Sequence, residues 1–317
     1  MKIKRLLFFI ALSICCNKII AQLPWPLTPE RQYYRNPESF FLRDSVLNKK
    51  RAASIAGIFI GGYGGIYTSL GLGWYKGTAR TKFHWFNDLH EWKQVDKYGH
   101  AMGAYQGGRA MIQLMKWSGC KKKSALIWGG ASSFLMLSTL EVFDGFSASY
   151  GASVSDLGAN FLGSALAVGN ELLWNEQRIQ IKISFHKTQY PKAVDDGILG
   201  ENWTEFLKDY NGHTHWLSFS VRPFLPDGNL KQIWPRWLNL AVGAGAEGML
   251  GNYDDPLQAW KKREFRKFHL GIDIDLSQIK THIGIVDWIL GTINFVHIPA
   301  PSIEFSKHGV KLRALYF

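Results

Sequence analysis

The chain has 317 residues, 46% hydrophobic and 20% charged, with a formal net charge of +12. Of three cysteines only Cys120 lies beyond the first 22 residues, so once the N-terminal segment is removed no internal disulfide can staple the fold, and stability must come from packing. The basic surplus suits a surface rich in anionic lipid or lipopolysaccharide better than nucleic acid, although ordinary solubility charge explains it equally well.

The N-terminus has the pattern of an export signal. Lys2, Lys4 and Arg5 precede the apolar run Leu6 to Ile14, and Ala21 offers a small residue for cleavage before Gln22. Cys15 follows Ile14 rather than a small residue, which reads against lipidation. Removing residues 1–21 as a signal peptide lowers the formal charge to +8, because that segment holds four basic residues and no acidic one. Residues 22–50 are rich in proline and polar side chains and read as an extended lead-in.

Residues 51–177 carry helical patterns. Ser54 to Tyr75 is almost uncharged and glycine-rich, long enough to span a bilayer if helical, and its glycines would let a neighbouring backbone approach. Three more helices are predicted over Tyr98 to Trp117, Ser124 to Phe143 and Ser155 to Trp174, and their short connections favour antiparallel packing. Gly99, Gly103 and Gly107 form a small-residue stripe, as do Gly163 and Ala167.

Three polar clusters fall at helix ends: Asp96-Lys97-x-x-His100, Glu141-x-x-Asp144, and Asp156-x-x-x-Asn160-x-x-Gly163. Up-down-up connectivity brings all three to one end of the bundle, and their i,i+3 and i,i+4 spacing puts the members of each on one face. Asp96 and Asp156 stand where a carboxylate caps a helix N-terminus, which is their ordinary structural role. Glu141 ends an apolar helix and needs a partner, which His100, Lys97 or Asn160 could supply. Next to Glu141 and Asp144, the His100 imidazole is a candidate for proton transfer, so His100 and Glu141 are the candidate catalytic pair; the whole set equally fits a network that fixes packing.

These motifs resemble the YfiM-type predicted periplasmic lipoproteins, a domain of unknown function, over roughly residues 90 to 175, and are more faintly similar to the VanZ-like membrane proteins. The resemblance implies a small glycine-rich helical envelope domain and brings no activity. Two features depart from these patterns: the mature chain lacks a convincing lipidated cysteine, and Asp144 stands where VanZ-like proteins usually carry glutamine.

If all four helices crossed a bilayer, one side would hold ten lysines and arginines and the other five, and the signal peptide places the richer side outside the cytoplasm. That violates the positive-inside rule and disfavours a four-span inner-membrane topology. Packing in the periplasm or against an outer-membrane β-domain is expected instead, with the inner membrane as the alternative.

From residue 178 to 317 the period becomes two. Six strands are expected: Ile179 to Phe185, Leu217 to Val221, Leu238 to Val242, Phe268 to Leu276, Ile303 to Phe305 and Val310 to Phe317. A short helix is expected at Trp203 to Tyr210, and Ile283 to Val296 is ambiguous. Six strands fall short of the eight of an outer-membrane barrel, and Lys311 and Arg313 share a face with the terminal Leu315 and Phe317. His213 and His215 share a strand face, as do Asp273 and Asp275, and both pairs read as solvated polar positions rather than metal ligands. Gly61 to Gly65 lacks the context of a phosphate-binding loop.

The fold class expected is therefore α+β, a glycine-rich antiparallel helical bundle followed by an antiparallel sheet or partial barrel. The function expected is that of a membrane-associated envelope protein at the outer membrane or facing the periplasm. Its cluster of Asp96, Lys97, His100, Glu141, Asp144, Asp156 and Asn160 organises the bundle or binds an envelope lipid or glycan head group. The alternative is a hydrolase or transferase acting on such a molecule. No cofactor or metal is assigned; the partners expected are a lipid or lipopolysaccharide surface or an envelope protein, and not nucleic acid.

Overall fold

A computed structural model of the chain describes residues 43–69, 79–193, 199–200, 204–251, 263–281 and 283–316. The signal peptide, most of the lead-in, Trp203 and Phe317 lie outside the described residues. The first helix, α1 (Lys49–Ser69), starts inside the expected lead-in because the Asn48 side chain accepts hydrogen bonds from the Lys50 and Arg51 amides at 3.0 and 3.1 Å, a side-chain N-cap. Its glycines face open space rather than a neighbouring backbone: a Cβ on Gly57, Gly61, Gly62, Gly64 or Gly65 would meet nothing within 4 Å.

Close packing belongs to the next three helices, α2 (Val95–Trp117), α3 (Lys122–Asp144) and α4 (Val154–Trp174). A Cβ on Gly163 of α4 would overlap the Ala101 carbonyl of α2 and lie 3.0 Å from the Tyr105 nitrogen, so only glycine allows this approach. Gly103 and Gly107 face Leu137 and Ser133 of α3, whereas Gly108 is the residue that meets Ala167. Gly99 departs from the expected stripe and looks toward His215 in the sheet.

The sheet has six described strands: β1 (Ile179–Phe185), β2 (His213–Ser220), β3 (Leu238–Glu247), β4 (Phe265–Ile274), β5 (Ala300–Ser306) and β6 (Gly309–Tyr316). They follow one another in sequence order, every pair antiparallel, and the sheet is not closed. Two short helices, α5 (Glu205–Lys208) and α6 (Asn229–Ile233), sit in the connections; the ambiguous stretch forms α7 (Gly284–Ile293). The fold is thus α+β.

The burial of this sheet reverses the usual arrangement. Its polar positions are inside: Gln180, Lys182, Ser218, Asn239, His269, Asp273 and Glu304 are all buried, while Leu240, Val242, Phe268, Leu270 and Phe305 of alternate parity are exposed. The solvated positions expected for Asp273, Asp275, His213 and His215 are corrected accordingly, since all four are buried. His213 and His215 have the parity of Leu217 and are covered by Tyr98 of α2 and by Phe206; for the polar face that holds Asp273 and Asp275 the physical reason is curvature. Lys182 on β1 reaches Asp273 on β4 at 2.7 Å, and Thr214 on β2 reaches Tyr316 on β6 at 3.0 Å. A flat sheet would hold β1 and β4 about 14 Å apart, at about 4.8 Å per strand. The polar face is therefore concave and filled by its own side chains. Ser218 donates to Asp273 at 2.7 Å, Gln180 to Asp275 at 2.6 Å, and the His297 ring stacks on Trp216 with centroids 3.8 Å apart. A bulge opposite Pro301 shifts the β5–β6 register, so Arg313 turns inward to Glu304 at 2.8 Å while Leu315 stays exposed.

Candidate functional site

The cluster is assembled by the entry to α2 and the two helix ends that meet it. Trp92, Lys93 and Gln94 form a left-handed turn with φ of 48°, 51° and 65°, an uncommon conformation for three successive non-glycine residues. It leads from the segment bearing Asp88 into the helix bearing Asp96, Lys97 and His100. The turn is held from outside by Lys93 on Glu264 at 2.9 Å and by the Trp92 ring against Tyr210. Gly145 to Ala152 carries the chain from the end of α3, with Glu141, to the start of α4, with Asp156 and Asn160.

One half of the cluster is centred on Lys97. Its ammonium lies 2.6 Å from Asp88, 2.8 Å from Asp96 and 2.9 Å from Asp156, so each of its three N–H groups faces a carboxylate. Burial alone would lower the Lys97 pKa, but the charges of Asp96 and Asp156 outweigh it and raise it. The carboxylates fare less evenly, because three of them share one cation. Burial raises Asp96 despite Lys97, whereas Asp88 also accepts from Ser153 and Ser155 at 2.6 and 2.9 Å and is held below its ordinary value. Neither Asp96 nor Asp156 acts as the N-cap expected of it. Ser153 caps α4, accepting from the Asp156 amide, and Gln94 precedes α2 with no side-chain cap.

The other half surrounds His100. Nδ1 hydrogen-bonds Asn160 Oδ1 at 3.1 Å and lies 3.8 Å from Glu141, and Nε2 lies 3.8 Å from Asp156. The three helices therefore meet at this imidazole. The Glu141 side chain is 4% exposed and that of His100 21%, so water reaches the site from the histidine side. Glu141 Oε2 accepts from the Ser153 amide at 2.9 Å, a partner the sequence reading did not name. Glu141 Oε1 and the Asn160 amide Nδ2 are buried with no hydrogen-bond partner, as is Asp96 Oδ1. Burial first, and the Asp156 charge next, push Glu141 up to about 8; half-buried Asp144 adds to the same repulsion. Burial pushes Asp156 up to about 6 against the pull of His100 and Lys97.

Four carboxylates thus face one lysine and one histidine, and the excess is met by retained protons or by a bound cationic or hydrogen-bonding group. Oxygen and nitrogen atoms of His100, Glu141 and Asp156 lie within 4.8 Å of one another, close enough for one cation to bridge; the second such group, Asp88, Asp96 and Asp156, already encloses the Lys97 ammonium. An apolar cavity of about 250 Å³ between α1, α2 and α3, lined by Ile55, Phe59, Met111, Met115 and Trp128, shares no residue with the cluster.

Asp88, Ser153 and Ser155 were missed by the sequence reading. Ser153-x-x-Asp156 before an apolar run is an N-terminus signature that could have found the serine. Nothing in the spacing around Asp88 points to Lys97, since the left-handed turn that joins them has no glycine to announce it.

No curated protein and no solved structure matches the chain. The likeness to VanZ-like membrane proteins is not supported. Residues 84–171, a stretch that contains Asp88, Asp96, Lys97, His100, Glu141, Ser153, Asp156 and Asn160, match the family model described as a predicted periplasmic lipoprotein (DUF2279).

Proposed function

We propose that this is a periplasm-facing protein of the bacterial outer membrane in which the two halves of the cluster divide the work. The Lys97 half organises the bundle. The His100 half, with Glu141, Asp156 and Asn160, binds the polar head group of an envelope lipid or glycan. The observation that carries this reading is a buried donor and a buried acceptor, Asn160 Nδ2 and Glu141 Oε1, left unpaired side by side at the partly open His100, whereas the oxygen left over around Lys97, Asp96 Oδ1, belongs to a carboxylate that already holds that ammonium. An acceptor and a donor left in this way cost free energy that a hydroxyl-bearing ligand would return. The envelope location is supported by the family matched over residues 84–171, and the choice of the outer over the inner membrane by the distribution of loop charge, which disfavours a four-span inner-membrane topology.

The test is native mass spectrometry of the full chain extracted in mild detergent from fractionated outer membranes. A lipid or glycan mass should be retained by the wild type and lost from His100→Ala and Asn160→Leu proteins of unchanged fold. Equal retention by all three, or recovery of the protein in the inner membrane, refutes the reading. A second reading is favoured by the proton that Glu141 keeps at neutral pH beside His100, the arrangement of a general acid in a hydrolase or transferase. It requires Glu141→Gln to keep the ligand and lose the function.

A further inference from the structure

We propose that the convex apolar face of β3–β6 is seated in the hydrocarbon of a lipid bilayer, the sheet lying on its side in one leaflet. The face is continuous. The register aligns Leu217, Val242, Leu270, Ile303 and Leu312 in one row across five strands, and Ala244, Phe268, Phe305 and Val310 in a second. Val242, Leu270 and Leu312 are 44%, 47% and 82% exposed, and Phe268, Phe305 and Val310 are also exposed. No outward position between Phe268 and Ile274 carries a charge.

Apart from Arg266, at the end of β4 where it meets Gln94, the charges of the strands lie on the other side, with Lys182 and Asp273 fully buried against each other in the concavity. A sheet stable in water places these two sets of residues the other way round. An apolar exterior around a polar interior is the arrangement that lipid selects.

Curvature decides between lipid and protein as the occupant. The contacts from β1 to β4 and from β2 to β6 make the apolar face convex, and a convex surface touches a flat partner or a second copy along a narrow strip. Fluid acyl chains conform to it everywhere. α2 takes up the same parity at the β1–β2 end, where Tyr98 packs beside His215 and Gln106 donates to the Ile181 carbonyl at 2.6 Å, and the rows on β3–β6 continue beyond it. The open edge fits the same seat. Lys307 and Lys311 lie along it, cations at the level of anionic head groups, where the free backbone groups of β6 meet water rather than hydrocarbon. This seat is independent of head-group binding at His100, so either can fail alone.

The test uses the full chain with its three cysteines replaced by serine and one new cysteine bearing an environment-sensitive fluorophore, reconstituted with phosphatidylcholine–phosphatidylglycerol vesicles. Labels at Leu270→Cys and Leu312→Cys should shift to the blue and lose most of their emission when the acyl chains are brominated. A label at Asp227→Cys, in an exposed turn, should do neither. Protein that floats with the vesicles while both sheet labels stay unquenched overturns the proposal, as does protein that fails to bind vesicles while the near-ultraviolet circular dichroism of its packed aromatic side chains, Trp216 among them, stays that of the folded chain. Efficient disulfide cross-linking of the unlabelled Leu270→Cys protein between two copies, with no quenching of the labelled one, also overturns it in favour of a dimer.

Discussion

Replacing Glu141 with glutamine should make the protein more stable at alkaline pH and change it little at acid pH. Glu141 keeps its proton up to about pH 8 in the folded chain, against an ordinary value of 4.5, because it is buried beside Asp156 and Asp144. The folded state therefore binds this proton more tightly than the unfolded state between those two values, and stability falls as pH rises through that window. At about 1.4 kcal/mol for each tenfold difference in proton affinity, the loss amounts to a few kcal/mol, complete above about pH 8. For a chain of this size about 2 °C of melting temperature accompanies each kcal/mol, so the deficit is several degrees. Glutamine cannot ionise, yet its carbonyl still accepts the Ser153 amide that Glu141 Oε2 holds at 2.9 Å. Glu141→Leu removes the charge and the acceptor together, leaving the buried Ser153 N–H unpaired at a cost of about 1–3 kcal/mol at every pH. The bond lost is to Ser153; His100 keeps Asn160. Melting curves of the three proteins in detergent at pH 5 and pH 8.5 check this. A wild type and a Glu141→Gln variant with parallel pH dependence would refute the account of Glu141 as a buried, proton-retaining acid.

In the concave core, Lys182→Met should destabilise by about 3–5 kcal/mol, since it strands the buried Asp273 carboxylate. Adding Asp273→Asn, which removes that charge and still accepts from Ser218, should recover part of the loss, and strictly additive costs in thermal denaturation would contradict the pairing. In the bundle, Gly163→Ala should cost about 1–3 kcal/mol because the Ala101 carbonyl it meets is backbone and cannot turn aside. Gly158→Ala on the open face of the same helix should instead gain up to about 1 kcal/mol, and the same melting assay reads the opposite signs.

Local rules placed most of the elements. The apolar runs that end at Trp117 and Trp174 are helices that stop there, and the alternation from Ile179 to Phe185 is a strand with those bounds. The i,i+4 spacing of Asp156 and Asn160 and the up-down-up order of the helices were enough to bring Glu141, Asp156 and Asn160 toward His100, because helix periodicity and short connections leave few other arrangements. What these residues do for one another was not legible. Asp156 reads as a cap in sequence, but Ser153 takes the free amide, and the carboxylate goes to a lysine that a left-handed turn has brought beside Asp88.

The sheet shows the same limit more sharply. Alternation tells which side chains share a face and says nothing about which face is inside. His213, His215, Asp273 and Asp275 were assigned to solvent by the rule that polar faces are wet; the curvature that joins Lys182 to Asp273 across three strand spacings buries the two aspartates, and α2 with the Phe206 segment covers the two histidines on the opposite face. Strand period is a property of the backbone and is written in the sequence. The sense of the sheet's bend depends on pairings between residues ninety or more positions apart, and only the assembled tertiary structure decides it.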